Sequence, residues 1–145
     1  MNKDIKTRYE QLKKKNQEFI LKKRREKNIL LQECLCSLGA DVVVLSSTEQ
    51  SQFLDRFNDY LSSDFELFER KKFFDFEGIP TDFFNYCVYI VWDEQTLPII
   101  KCTFSKTIEQ FQNITAVSFD TWIVGENFEK FLLLNHDGEI YAYSK

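Results

Sequence analysis

Histidine, methionine, proline and glycine are scarce in this chain of 145 residues, which holds one His, one Met, two Pro, four Gly and four Cys. So little Gly and Pro excludes a collagenous or linker-like chain, and four cysteines are too sparse for a disulfide scaffold. Gly39, Gly78, Gly125 and Gly138 stand far apart, so no glycine-rich loop cradles a nucleotide phosphate, and neither G-x-S-x-G nor H-E-x-x-H occurs. No run approaches the ~20 apolar residues of a membrane-spanning helix. The opening Met1-Asn2-Lys3-Asp4-Ile5-Lys6 lacks the apolar stretch of a secretory signal. These absences point to a cytoplasmic protein with reduced thiols.

What the chain has in abundance is phenylalanine, 15 residues of it, where a disordered chain would be poor in aromatics. At this length one domain is the default, able to bury roughly two-thirds of the surface its unfolded chain exposes. Charge is divided unevenly along it. Residues 1–27 carry 11 Lys and Arg against 4 Asp and Glu, or +7, which leaves −11 for residues 28–145 of a chain whose net charge is −4. The expected organisation is a single domain, 1–145, made of a basic helical arm (1–27) and an acidic core (28–145).

The basic stretch has no Gly or Pro, and Ile5, Tyr9, Leu12, Phe19, Leu30, Leu31, Cys34, Leu35 and Leu38 recur at spacings of three, four and seven. That pattern predicts one helix over about residues 3–37, closed by Gly39. At 1.5 Å per residue it would be about 50 Å long, so its first half projects or packs on a partner. Asn16 and Lys23 interrupt the apolar seam and argue against a self-paired coiled coil.

Further along, Val42-Val43-Val44-Leu45 predicts a short buried strand, and Ser47 with Gln50 a capping box ahead of a helix bearing Phe53, Leu54, Phe57, Tyr60 and Leu61 on one face. A strand is expected around 65–69 and a loop through Gly78-Ile79-Pro80, with a helical turn at Thr81 or Asp82. Residues 86–92 are apolar on both pleat faces and read as a strand covered on both sides. Pro98 puts the next strand, about 97–102, at an edge or marks its start. Ser105 would cap a short helix carrying Ile108 and Phe111. Strands at 117–123, 131–134 and 139–143 follow, with a turn at Glu126-Asn127 and a type I′ hairpin at Asp137-Gly138. The fold class is α+β, a mainly antiparallel C-terminal sheet packed against N-terminal helices.

Candidate chemistry is thin. His136, beside a tight turn, reads as a surface residue more than a catalyst. Cys34, Cys36, Cys87 and Cys102 read as core thiols, since a tetrahedral zinc set would need all four to converge; no metal and no cofactor is expected. Asp75, Glu77 and Asp82 would support a carboxylate-dependent hydrolase only if they met in a cleft. The cationic arm would suit phosphate backbones, which gives a second reading as a nucleic-acid-associated accessory protein, although the acidic core opposes it. In a regular strand at 117–123, Val117, Phe119, Thr121 and Ile123 face one side and Ser118, Asp120 and Trp122 the other. Trp122 beside Asp120 then either anchors a cationic partner or is covered by a helix or by the 131–143 hairpin.

The pattern Trp92-Asp93-Glu94, Leu97-Pro98-Ile99-Ile100, Phe119-Asp120-Thr121-Trp122-Ile123-Val124 and Phe131-Leu132-Leu133-Leu134-Asn135-His136-Asp137-Gly138-Glu139-Ile140 resembles the C-terminal part of bacterial immunity proteins of contact-dependent growth inhibition and polymorphic toxin systems. The likeness spans about 86–145 and leaves out the arm. It implies a non-enzymatic cytoplasmic inhibitor that binds one cognate toxin domain, often a nuclease; no membrane partner is expected, and nucleic acid is the less favoured partner. The expected partner-binding residues are Asp93, Glu94, Asp120, Trp122, Glu126, Glu129, Asp137 and Glu139, with Trp122 as anchor and the carboxylates steering and pairing.

Overall fold

With no helix breaker between residues 2 and 38, the N-terminal segment forms a single helix, α1 (Asn2–Leu38). It ends where Gly39 takes φ +86°, a conformation that glycine adopts without strain. A computed structural model describes every residue except Met1, Asp64, Tyr86, Gln95, Phe119 and Lys145, and leaves aside the side chains of Asn2, Lys3, Asp4, Ile20, Lys23, Arg24, Lys27, Ser63 and Phe65. At 37 residues, α1 is about 55 Å long. Only its last turns are embedded: Leu31, Cys34 and Leu38 are buried, whereas Ile5, Tyr9, Leu12 and Phe19 are more than half exposed.

The remaining elements build one antiparallel sheet, of seven strands among the described residues: β1 (Val43–Val44), β2 (Glu69–Phe73), β3 (Cys87–Trp92), β4 (Ile100–Thr103), β5 (Thr121–Gly125), β6 (Lys130–Leu134) and β7 (Ile140–Ser144). Their order is β1-β4-β3-β5-β6-β7-β2, so the C-terminal strands form the centre and the two N-terminal strands the edges. The helices are α2 (Ser47–Ser63), α3 (Phe104–Glu109) and α4 (Phe111–Thr115).

Pleat alternation sorts the strands between two layers. On one face Val88, Ile90, Trp92, Ile100, Cys102, Ile123, Leu132 and Ala142 join Leu31, Cys34 and Leu38 of α1, with Phe104 and Ile114 of α3 and α4. On the other face Val124, Phe131 and Tyr143 meet Phe53 and Phe57 of α2, with Tyr89, Val91, Trp122, Leu133 and Tyr141 only partly covered. β3 is thus covered on both sides, with Val88, Ile90 and Trp92 buried and its other three residues half-buried. Trp92 Nε1–H donates to the Ile114 carbonyl at 2.9 Å, tying α4 to the end of β3.

Several local expectations shift. Residues 43–44 pair on the outer edge of β4, leaving Val43 52% and Val44 47% exposed, so this strand is an edge and not a buried one. The capping box is Ser46 and Glu49, one position before the predicted pair, with Ser46 N–H to Glu49 Oε1 at 3.1 Å and Glu49 N–H to Ser46 Oγ at 3.2 Å. The strand placed at 65–69 is a 3₁₀ turn (Phe65–Leu67) followed by β2, whose charged residues find a ladder only through the distant β7. Thr103, not Ser105, caps α3. β5 begins at Thr121, because Val117 still closes the turn of α4 through its N–H to the Ile114 carbonyl; Phe119 lies outside the described residues. The β6–β7 connection has Gly138 at φ +80° and no positive φ at Asp137. Asn135 and Glu139 close it around three residues, a type I turn with a glycine bulge and not type I′.

Candidate partner-binding face

Strand register assembles a site that no local pattern displays. Val91 pairs with Trp122, Trp122 with Leu133, Leu133 with Tyr141, and Tyr141 with Lys72. These four apolar and aromatic side chains form one row across four strands, about 15 Å from first to last at ~4.8 Å per strand. They lie on the α2 side of the sheet and are half-buried. The helix covers the neighbouring row more fully, where Phe53 packs on Tyr89 at 4.6 Å and Phe57 on Phe131 at 5.9 Å between ring centroids. Trp122 sits at the margin of that cover, 5.7 Å from Phe57 and 5.8 Å from Phe131. It is neither a freely standing anchor nor a sealed core residue.

Carboxylates border the row on the side away from α2. Asp93 and Asp120 are joined by a 3.0 Å bond from the Asp93 N–H to the Asp120 carbonyl. Asp120 Oδ1 in turn accepts the His136 N–H at 3.0 Å and lies 3.2 Å from His136 Nδ1, while His136 Nε2 is 3.7 Å from Asp137. The hydrogen bond that the His136 ring donates to Asp120, followed by the charge of Asp137, raises the His136 pKa above its ordinary value. Asn135 Oδ1 accepts the N–H groups of Asp137 and Glu139, which fixes the loop that presents them. Glu139 accepts from the Tyr141 hydroxyl, and that bond, with Lys72 3.9 Å away, holds its carboxyl below the usual range. Arg70 and Lys72 lie over the Tyr141 ring at 5.1 and 5.9 Å and supply a cationic margin on the β2 edge.

Six of the expected residues therefore gather at one end of the sheet: Asp93, Glu94, Asp120, Trp122, Asp137 and Glu139. Glu126 and Glu129 stand at the opposite end, beyond the far termini of β5 and β6. There Glu126 pairs with Lys101 at 2.8 Å, and Glu129 is held by Asn127. Sequence reading missed Val91, Leu133 and Tyr141. Each belongs to an apolar run, and only cross-strand register shows that they share a rung with Trp122.

Next to the acidic end lies a cleft of about 520 Å³ between Glu26 and Leu30 of α1, the Thr115–Ser118 connection, and Leu134, Asn135, His136 and Gly138 of the hairpin. α1 leaves the domain at this end, so its arm projects past the carboxylates.

Other candidate chemistry is dispersed. Asp75 caps the 3₁₀ turn Phe76–Gly78 by accepting the Gly78 N–H at 2.8 Å, and of the trio Asp75, Glu77 and Asp82 only Glu77 lines the nearby pocket. Cys34 and Cys102 are buried, the former with its pKa pushed up to about 12 by burial, whereas Cys36 is exposed and Cys87 half-buried, so only two are core thiols. Among the described residues no group of three or more His, Cys, Asp or Glu is placed to hold a metal ion, and no helix is long and apolar enough to cross a membrane.

A half-covered aromatic row bordered by carboxylates has the composition of surfaces in the class of proteins that act by binding another protein. The match to a family model extends that class to a particular lineage, covering residues 28–143. The chain belongs to the CdiI immunity protein family, EcoliA0-like. Immunity proteins of this kind bind cognate toxins and are generally not enzymes. No match was found among curated proteins. The matched span reaches back well before residue 86 and starts at residue 28, where the basic arm ends.

Proposed function

We propose that this protein is a cytoplasmic immunity protein that neutralises one cognate toxin domain by covering the toxin's active site or substrate-binding face with the acidic end of its sheet. The observation that carries the reading is the rung Val91–Trp122–Leu133–Tyr141 with Asp93, Asp120 and Glu139 along its border. An apolar centre with a charged rim is the composition of a protein interface, and the aromatic residues are its anchors. The charge of −11 over residues 28–145 favours a basic partner, as a nuclease's substrate-binding face would be, and complementary charge speeds the encounter. Glu94 and Asp137 complete the rim; Glu126 and Glu129, at the far end, fall outside it.

The test is a binding and protection assay against the cognate toxin domain. Asp93→Lys with Asp137→Lys, both exposed, should slow association and weaken the complex by at least tenfold at low salt, with less protection of toxin-producing cells. Glu126→Lys with Glu129→Lys should leave both within a factor of about three. Equal effects from the two pairs, or none from the first, would refute the placement.

A further inference from the structure

The arm of α1 and the acidic end of the sheet carry complementary patterns. Along the arm, Ile5, Tyr9 and Leu12, with Phe19 beyond them, form a stripe 56–70% exposed. By helical spacing it continues the side of α1 that presents Leu30, Cys34 and Leu38 to the domain. Lys6 and Lys13 flank the stripe on one side, and Arg8, Lys15 and Lys22 on the other. In a pair of arms, parallel or antiparallel, these flanking positions would face their own kind, cation against cation, so arm-to-arm pairing is disfavoured. What fits is an apolar row with an acidic border. The sheet end offers one in Val91, Trp122, Leu133 and Tyr141 beside Asp93, Asp120 and Glu139. The arm cannot reach that row on its own domain, because α1 runs unbroken to Leu38 and carries the stripe outward. A second copy can supply it. Residues 5–26 span roughly 30 Å, about the width of a small domain.

We propose that two copies of this chain associate by reciprocal exchange of arms, the basic, apolar-striped helix of each lying across the acidic aromatic end of the other and closing a two-fold dimer. A +7 segment is then set against a −11 domain twice over. The self-association rests on these patterns alone. That the toxin and the arm share one face rests on the proposed function, and the test below involves no toxin.

The experiment is sedimentation equilibrium of the full chain from low to high micromolar concentration, at low and at moderate salt. The expected result is a monomer–dimer equilibrium that weakens as salt rises. Leu12→Glu, at an exposed arm position, should weaken it on the order of tenfold or more. Asp93→Lys with Asp137→Lys, on the opposite surface, should do the same. Mixing the two variants should restore dimers in part, since one retains the face and the other the arm, which leaves one of the two contacts intact. A chain that stays monomeric throughout overturns the proposal. So does an arm substitution that abolishes dimers while the face substitutions do not, which would mean arm-to-arm pairing. Recruitment of duplex DNA by Leu12→Glu-sensitive binding, with the protein itself remaining monomeric, would assign the arm to nucleic acid and equally overturn it.

Discussion

Replacing Trp122 by alanine separates what this residue does for the fold from what it does for a partner. Its indole is half-buried, in contact with Phe57 and Phe131. A fully buried Trp→Ala costs about 3–5 kcal/mol, so roughly half of that, ~2 kcal/mol, is the expected loss of stability here. A domain with a stability of about 5–15 kcal/mol remains folded after such a loss. Urea denaturation should therefore show a lower midpoint at unchanged slope, the mark of an altered stability and not of an altered native state. The same indole is the tryptophan of the half-buried rung, and if it anchors the toxin as proposed, truncating it costs at least about 2 kcal/mol of binding, or ~30-fold in Kd. Calorimetric titration with the cognate toxin, at a urea-free temperature where the variant is fully folded, reads that second quantity alone. Trp122→Phe should recover most of both losses. A folded Trp122→Ala protein that binds toxin within about threefold of the parent would show that the indole serves α2 packing only and would remove it from the interface.

Trp92→Phe should cost about 1 kcal/mol in urea titration, since it removes the indole N–H from the Ile114 carbonyl but leaves that oxygen the Val117 N–H. Hydrogen exchange over residues 111–117 should quicken with it, and unchanged exchange would mean that α4 is held by packing alone. His136 should titrate above its ordinary pKa by NMR, and Asp120→Asn should bring it down, because Asp120 supplies the main hydrogen bond. The sign for stability follows: a folded-state pKa above the unfolded one makes the contribution complete below pH ~6.5 and lost as the pH rises through the raised value. A titration unmoved by the substitution would dismiss the Asp120 contact as its cause. Gly138→Ala should destabilise by about 1 kcal/mol through its φ of +80° alone, since no atom lies within 4 Å of the added methyl, and a neutral outcome by thermal melting would indicate that the loop relaxes.

How much of this was legible in the sequence depended on how local the cause was. α1 and its end at Gly39 followed from residue spacing and one backbone conformation, and the doubly covered β3 from its unbroken apolar run. The capping residues of α2 and α3 were misplaced by one or two positions because several Ser and Thr compete there, and the first contacts of each helix decide among them. β2 was displaced because Glu69-Arg70-Lys71-Lys72-Phe73 has no strand-like alternation, and its ladder comes from β7, some 70 residues away. The expected partner-binding residues divide for the same reason. Asp120 and Trp122 could be paired by alternation within one strand, but whether Asp93, Asp137 or Glu126 stands beside them depends on which end of each strand meets which. That is a matter of register, and register moved Glu126 and Glu129 to the far end of the sheet.

The two faces of the sheet are unequal in a way that bears on how such a chain can change. The face under α1, α3 and α4 is sealed, with Val88, Ile90, Ile100, Ile123 and Leu132 without exposed surface. An altered side chain there disturbs many neighbours at once. The rung Val91–Trp122–Leu133–Tyr141 is only half-buried, so its residues can be exchanged for others of different shape at less cost to folding. On the proposed function, scaffold and recognition are thus carried on alternate residues of the same strands. On that reading a new specificity can be written at one position in each of β3, β5, β6 and β7, while the intervening positions and the row under α2, with Val124, Phe131 and Tyr143, keep the fold intact.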